Sequence, residues 1–144
     1  EDAVARGAKL ETGGRPFRHP QYPEACFFEP TVLSGARKGM RILEEETFGP
    51  VVPIIPFSSE DEAIQLANDS PYGLAGYVFT ENLSQAVRVA EALEFGIVGV
   101  NDVLPSAPHV PFGGIKTSGI GKEGGHHGIE EFLEEKLIVL GIEE

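Results

Sequence analysis

The stretch "LAGYVFTENLSQAVRVAEALEFGIVGVN" (residues 74–101) decides the fold class, because it contains a strand, a helix and a second strand in order. Its ends, "LAGYVFT" and "IVGVN", are short, mostly apolar runs that contain β-branched and aromatic residues, which favour strands. Between them, Asn82 is a good helix N-cap and Gly96 a helix stop. One apolar helix face follows the i, i+3, i+4, i+7 rhythm: Leu83, Ala86, Val87, Ala90 and Leu93. The pattern predicts a βαβ crossover in a parallel sheet.

Weaker signals surround this unit. Upstream, Ser59 and Glu62 form a capping box that predicts another helix. Pro30 predicts an edge strand or an interruption. The prolines in "VVPIIPF" (residues 51–57) argue against a central strand there. Downstream, apolar spacing predicts a third helix near residues 129–133, and "LIVLGI" (residues 137–142) predicts a terminal strand. With no repeats or low-complexity linker, we expect one α/β unit.

Charge and cysteine content exclude several classes. The chain has 11 Lys and Arg against 23 Asp and Glu, a net charge of −12. This disfavours nucleic-acid and anionic-membrane partners. Cys26 is the only cysteine, which excludes an internal disulfide and fits a reducing, cytoplasmic compartment. No apolar run reaches the roughly 18 residues of a membrane span, and the four histidines do not form a metal-ligand set.

The glycine-rich loop "GGIKTSGIGKEGG" (residues 113–125) contains G-x-G-x-x-G, the spacing that cradles a dinucleotide pyrophosphate. A turn precedes it instead of a strand. About 20 residues beyond Gly124 the sequence ends, so no second strand is expected there to carry the ribose-binding acid. A P-loop also fails, because Ile120 stands at its lysine position. We interpret the glycines as residues that permit close backbone passage. A nucleotide site stays the alternative.

Several segments together resemble the C-terminal part of an aldehyde dehydrogenase. They are "FFEPTVL" (27–33), "EEETFGPVVP" (44–53), "LANDSPYGLAGYVFT" (66–80), "IVGVN" (97–101) and "PFGGIKTSGIGKEGGHHGIEEFLEEK" (111–136). Within that family, "EALEFGIVGVN" and "HHGIEEFLEEK" are most similar to succinate-semialdehyde dehydrogenases. The opening "EDAVARGAKL" reads as the tail of a helix already under way, which also suggests a piece of a longer protein.

The resemblance implies a three-layer α/β/α fold with a mostly parallel sheet. Residues 1–134 would form part of the catalytic domain, and residues 135–144 an oligomerisation strand that joins a partner subunit. The parent would be a homo-oligomer that binds a small aldehyde. A non-enzymatic association module, pairing through the terminal strand, is the alternative from another class.

In this family a cysteine thiolate attacks the aldehyde, the thiohemiacetal gives a hydride to NAD or NADP, and water releases the carboxylate. The context of Cys26, "PEACFFEP", does not resemble the family's nucleophile segment, and an isolated cysteine is by default a small buried or half-buried hydrophobe. The nucleophile and the Rossmann half would lie in absent polypeptide. We therefore expect the isolated chain to be inactive.

Two residues match cofactor positions of the family. Glu46 matches a glutamate that holds the nicotinamide ribose, and a carboxylate can accept hydrogen bonds from both hydroxyls of a diol. Phe48 matches an aromatic beside the nicotinamide. Without the resemblance, the run Glu44-Glu45-Glu46 would be read as a solvated acidic turn.

Three further residues match substrate and proton-transfer positions. Phe112 matches the aromatic wall of the aldehyde pocket, with a core phenylalanine as the alternative. Ser106 aligns with a serine of the semialdehyde carboxylate site, or is a turn serine among prolines. Glu123 matches a proton-relay glutamate, or is a helix-start glutamate. Lys116 also lies near the family's active site, and Lys122 stands where many relatives carry arginine.

Overall fold

The structure, a computed structural model, describes residues 1–104 and 106–142. The chain divides into two compact units at the boundary between Ser58 and Ser59. The expected single unit is therefore wrong, because the strands before this boundary pair only with one another, as do those after it. The domain boundary expected at residue 135 is a separate matter and stays a prediction.

Among the described residues, the helices are α1 (Asp2–Ala5), α2 (Arg41–Glu44), α3 (Glu60–Asn68) and α4 (Leu83–Ala92), with a 3₁₀-helix at His127–Phe132. The strands are β1 (Lys9–Thr12), β2 (Pro16–His19), β3 (Tyr22–Phe28), β4 (Thr31–Ser34), β5 (Val51–Ile54), β6 (Tyr72–Gly73), β7 (Ala75–Val78), β8 (Ile97–Val100) and β9 (Ile115–Lys116). They form small separate sheets of order β1-β4-β5, β2-β3, β6-β9 and β7-β8. The pairs β4-β5 and β7-β8 are parallel, and the others are antiparallel.

The first unit holds a small apolar core between its sheet and its two helices. Met40 is its most enclosed large side chain, with 1% of its surface exposed. Residues Ile42 and Leu43 of α2 pack against the same cluster. Burial of these side chains fixes α1 and α2 on the sheet. The buried members are Ala3, Ala8, Leu33, Ala36 and Met40.

Two prolines of this unit lie where a strand is interrupted or at the edge of a sheet. Pro30 interrupts the chain between β3 and β4, as the sequence predicted. Past the interruption, β4 is the central strand and pairs with β1 and β5. Pro53 lies in β5, an edge strand, where a missing N–H removes no ladder bond. The prediction that residues 51–57 are not central is confirmed.

The second unit contains the predicted crossover. Strands β7 and β8 pair in parallel, with Ala75 opposite Ile97, and α4 connects them. The side chain of Asn82 accepts a hydrogen bond from the N–H of Gln85 at 3.1 Å and caps α4. The side chain of Ser59 caps α3 in the same way, as its capping box predicted. Both caps satisfy amides that a helix cannot pair internally.

Asn101 follows β8 directly and extends the β7–β8 pairing through its side chain. Its Oδ1 accepts from the N–H of Thr80, and its Nδ2 donates to the Thr80 carbonyl, both at 2.9 Å. Its φ of 53° is in the left-handed region, which asparagine tolerates better than most residues. The side-chain amide thus adds one more pair of hydrogen bonds between the two strand ends, at the point where the chain leaves β8.

Helices α3 and α4 are joined by a bidentate ion pair. The Arg88 guanidinium donates to both carboxylate oxygens of Glu60, each at 2.9 Å. This hydrogen bonding is the main cause that lowers the pKa of Glu60 and raises that of Arg88. The pair is solvent-accessible, so we expect its contribution to stability to be modest.

The terminal segment (residues 133–142) has neither helix nor strand. The expected terminal strand and three-layer arrangement are not found in the described residues, and Glu143 and Glu144 of that strand lie outside them. A strand needs a partner to pair its backbone groups, and no described strand takes that place. The third helix is present as a 3₁₀-helix.

None of the helices in the described part of the chain is long and apolar enough to cross a membrane. Within residues 1–104 and 106–142, no three His, Cys, Asp or Glu side chains group closely enough to hold a metal ion. The adjacent rings of His126 and His127 contact each other instead, with their centroids 3.7 Å apart.

Candidate functional site

Glu46 lies just after α2, in a segment that charged contacts position. The carboxylate of Asp2 accepts hydrogen bonds from the backbone N–H of Arg41 at 3.0 Å and from Nε of Arg6 at 2.9 Å. The Arg41 guanidinium in turn donates to both oxygens of Glu45, at 2.8 and 2.7 Å. The Arg41–Glu45 pair therefore restrains the backbone at the residue directly before Glu46.

These contacts also shift the pKa values of the two carboxyls. The backbone hydrogen bond from Arg41 is the largest cause that lowers the pKa of Asp2. The side-chain hydrogen bond from Arg41 lowers the pKa of Glu45. Both groups are therefore ionised at neutral pH, and the segment before Glu46 is held by charge-assisted bonds.

Both predicted cofactor residues have accessible side chains. Glu46 lines a cavity of about 800 Å³ in the first unit, together with Thr47, Ile42 and Leu33. Its carboxylate forms no hydrogen bond or ion pair within the described part of the chain. Both of its oxygens are therefore available to accept hydrogen bonds from a ligand. Phe48 is 99% exposed and does not line that cavity.

The second unit brings Phe112 and Glu123 together through their backbones. The Phe112 N–H donates to the Glu123 carbonyl at 2.7 Å, and the Glu123 N–H donates back to the Phe112 carbonyl at 2.8 Å. Both residues line a hollow of about 380 Å³, which also includes Leu74 and Phe132. Thus a predicted pocket wall and a predicted proton-relay residue share one recess. The sequence did not predict this pairing.

Glu123 has an exposed carboxylate. No described residue forms a hydrogen bond or ion pair with it. A carboxyl that relays protons near neutral pH needs desolvation or a partner. In the described residues the side chain of Glu123 has neither, whereas its backbone is paired with Phe112.

A carboxylate of the chain itself, that of Glu131, contacts the glycine-rich loop. Gly121 has a φ of +75°, and a Cβ there would lie 2.5 Å from the carboxylate of Glu131. The same carboxylate accepts a hydrogen bond from the backbone N–H of Lys122 at 3.3 Å. A carboxylate of the protein therefore already accepts one of the loop amides that could otherwise donate to a phosphate. This favours the interpretation that the glycines permit close backbone passage.

Lys116 has a structural role that the sequence did not reveal. It lies in β9 with a φ of 56°, an uncommon conformation for a residue other than glycine. Its ammonium donates to the Asn68 carbonyl at 2.9 Å and pairs with Glu94 at 2.9 Å. These contacts tie β9 to the end of α3. The positive φ could not have been predicted from the local sequence.

Ser106 is exposed and does not line the hollow that contains Phe112. Its hydroxyl forms no hydrogen bond with another described residue, and its neighbour Pro105 lies outside the described residues. Cys26 is also exposed, on β3. The expectation that it is a buried or half-buried hydrophobe is wrong, because every residue of β3 in the β2–β3 hairpin is exposed.

Comparisons with known proteins agree with the sequence segments and the fold. The model of the "Aldehyde dehydrogenase family" matches residues 1–138. The chain is 47% identical over 140 residues to a probable succinate-semialdehyde dehydrogenase [NADP(+)] of Sinorhizobium fredii, covering 97% of this chain and 28% of the relative. It is 50% identical over 140 residues to the mitochondrial succinate-semialdehyde dehydrogenase of Rattus norvegicus, covering 97% of this chain and 26% of that one.

A solved structure gives the same result. Betaine aldehyde dehydrogenase of Staphylococcus aureus in complex with NAD+ superposes with a TM-score of 0.85 at 48% identity, covering 91% of this chain and 26% of that structure. The chain thus spans about a quarter of the length of the relatives it matches. The resemblance stated from the sequence motifs is confirmed, as is the α/β class. The chain belongs to the aldehyde dehydrogenase family.

Proposed function

We propose that this chain is part of an enzyme that oxidises a small aldehyde to a carboxylate with NAD or NADP. The observation that carries the proposal is the shared recess of Phe112 and Glu123, closed by two backbone hydrogen bonds, in a chain whose family model covers residues 1–138. An apolar wall beside a carboxylate suits a small carbonyl substrate whose reaction exchanges protons.

Glu46 and Phe48 would hold the nicotinamide cofactor, whose chemistry is to accept a hydride. The Glu46 carboxylate fits this role because it is exposed and forms no bond within the described residues. As an acceptor-only group it can receive hydrogen bonds from two ribose hydroxyls. The Arg41–Glu45 pair would restrain its backbone. The relatives include one whose name states NADP(+) and one solved with NAD+, so either cofactor is compatible.

For the substrate, we propose a semialdehyde such as succinate semialdehyde. The support is the pair of relatives that carry this substrate in their names. Phe112 would form the apolar wall beside the aldehyde chain, and the exposed hydroxyl of Ser106 would donate to its distal carboxylate. Glu123 would take part in proton transfer after the missing parts of the protein desolvate it.

The attacking thiolate would come from polypeptide outside these residues. Cys26 is exposed on the hairpin strand β3, and its segment, "PEACFFEP", does not resemble the nucleophile segment of the family. The isolated chain would therefore not oxidise aldehydes. An enzyme needs its nucleophile within reach of the substrate carbon, and binding groups alone leave the chemical step uncatalysed.

The test compares the product of the complete gene with the isolated 144-residue chain. Formation of NAD(P)H is measured with succinate semialdehyde and with an aldehyde that lacks a carboxylate. We expect activity only in the complete protein, with a preference for the semialdehyde. Production of NAD(P)H by the isolated chain, abolished by Cys26→Ala, would overturn the assignment of the nucleophile. No aldehyde oxidation by the complete protein would overturn the proposed function.

A second candidate is an association module in a homo-oligomer. It is favoured by the exposed apolar side chains of the terminal segment, such as Leu137 and Val139, at 87% and 81% exposure. An unpaired apolar segment of this kind can add a strand to the sheet edge of another subunit. Sedimentation of the chain with and without residues 137–144 tests this. Identical sedimentation of both would exclude it.

A further inference from the structure

Lys122 makes an unusual set of contacts in the glycine-rich loop. Its ammonium donates to the carbonyl of Gly113 at 2.6 Å and to the carbonyl of Gly114 at 3.0 Å. The lysine is half-buried, and its ammonium forms no salt bridge with a described residue. Its charge is therefore directed at two consecutive backbone carbonyls. Hydrogen bonds of this charge-assisted type are stronger than those between neutral groups.

These two carbonyls directly follow Phe112, the proposed wall of the aldehyde pocket. The carbonyl of Phe112 itself accepts the backbone N–H of Glu123 at 2.8 Å. Three successive carbonyls, those of residues 112–114, are thus held by two successive residues, Lys122 and Glu123. The position of Phe112 is therefore set from residues 122 and 123.

The surroundings leave little room for another arrangement. A Cβ on Gly96 would overlap the carbonyl oxygen of Gly113 and would lie 2.9 Å from Nζ of Lys122. The lysine backbone is fixed from the other side by the Glu131 carboxylate, which accepts its N–H at 3.3 Å. Without the ammonium, the two carbonyls would lose their partners at a site where Gly114 is buried. Unpaired buried carbonyls are costly, so the local backbone would rearrange.

We propose that Lys122 is a positioning residue that holds Phe112 in place at the aldehyde pocket. This inference rests on the proposed function for its effect on the substrate, but the contact itself does not. An arginine at this position could donate to the same two carbonyls, because a guanidinium presents several N–H groups. The residue acts through the Phe112 backbone and does not need to touch the substrate.

The experiment uses the complete protein with Lys122→Met, which keeps the length of the side chain and removes the ammonium. Lys122→Arg is the conservative variant, and Arg18→Met removes an exposed cation of β2 as a control. We expect Lys122→Met to raise the KM for the aldehyde about tenfold, since displacement of a positioned group has effects of that order or larger. The KM for the cofactor should change less than about twofold. Lys122→Arg should keep the aldehyde KM near that of the wild type, because a guanidinium can still donate to both carbonyls.

Hydrogen exchange gives a readout that needs no activity. In Lys122→Met, the amides of Phe112 and Glu123 should exchange faster, because their mutual hydrogen bonds lose support. Faster exchange with an unchanged aldehyde KM would overturn the positioning role, and unchanged exchange would overturn the contact. If Lys122→Met does not fold, Lys122→Gln is judged by the same criteria. A complete protein that oxidises no aldehyde would refute the proposed function, and the exchange measurement would still decide whether Lys122 holds the loop.

Discussion

The glycine-rich loop (residues 113–125) and the terminal segment (residues 133–142) each differ from what their composition leads one to expect. The loop is rich in glycine, which favours flexibility, but its backbone is held by Lys122, Glu123 and Glu131. The terminal segment is rich in aliphatic residues, which favour burial, but Leu140 and Ile142 are 81% and 88% exposed. In this chain, paired backbone groups create local order, and apolar content alone does not.

The difference has a physical cause. Glycines let two backbones come close enough for short contacts, and each contact satisfies a polar group that is costly to leave unpaired. An apolar segment gains free energy only when another surface covers it. The loop finds its partners within the second unit. The terminal segment has no covering surface among the described residues.

The strongest test of this comparison adds the same side chain to both regions. Gly121→Val places a β-branched residue at a φ of +75° and against the Glu131 carboxylate. We expect it to lower the free energy of unfolding by about 3 kcal/mol or more, from backbone strain and overpacking. Gly141→Val, where an added Cβ meets nothing within 4 Å, should change it by less than about 0.5 kcal/mol. Equal losses in urea unfolding would contradict the comparison.

The second test asks whether the terminal segment has its partner in another copy of the chain. Val139→Lys places a charge on an unpaired apolar segment, a change that prevents edge-to-edge strand pairing. We expect the dissociation constant for self-association to rise at least about tenfold, or roughly 1.4 kcal/mol. The measurement is analytical ultracentrifugation over a range of concentrations, with Arg18→Glu as a control on β2. Unchanged association would show that the segment is not the interface.

A third test compares the loss in free energy of unfolding when a hydroxyl is removed from the second unit and when an aliphatic side chain is removed from the terminal segment. The larger loss is expected for the hydroxyl, although truncating a large apolar side chain usually costs more. Ser118→Ala removes the hydroxyl that accepts the N–H of buried Gly73 at 3.0 Å. We expect a loss of about 1–2 kcal/mol in the free energy of unfolding. Leu140→Ala removes more apolar atoms but should cost less than about 0.5 kcal/mol while the segment is uncovered. A larger loss for Leu140→Ala would indicate that the terminal segment is packed.

The smallest expected effect is on the pH dependence of stability, to which the Glu60–Arg88 ion pair contributes and neutral backbone hydrogen bonds do not. The Arg88 hydrogen bonds lower the folded-state pKa of Glu60 below its unfolded value. Its contribution to stability is present above the unfolded pKa, about 4.3, and is lost as pH falls through the folded pKa. Glu60→Gln should therefore reduce the decline in stability below about pH 4. The control is Glu134→Gln in the terminal segment, and identical pH profiles for wild type and Glu60→Gln would refute the role of the pair.

Local signals in the sequence predicted local structure well. The caps at Ser59 and Asn82 and the β7–α4–β8 crossover were predicted because a cap depends on a few neighbouring residues and the crossover on apolar periodicity. The absence of strand structure at residues 137–142 was not predicted, because an apolar run does not show whether its pairing partner is present. The expected pairing with another subunit stays a prediction. The exposure of Cys26 was missed for a similar reason: burial depends on the neighbouring strands.

The roles of the candidate site residues stay predictions, and the geometry that brings Phe112 and Glu123 together was not predicted. Motifs identified Phe112 and Glu123 separately, whereas their mutual hydrogen bonds require the loop between them to fold back. The function of Lys122 could not be predicted from a lone cation, because its partners are carbonyls that every residue carries. The positive φ of Lys116 likewise depends on contacts with Asn68 and Glu94, which are distant in sequence.

The amide of Asn101 has a consequence for how this fold can diversify. Since its side chain closes the pairing with Thr80, the crossover is complete before residue 102 begins. The following residues, which include Ser106, can therefore be exchanged, lengthened or enriched in proline without unravelling the strand behind them. One asparagine thus separates the paired strands of the crossover from the residues after it, whose sequence can change independently.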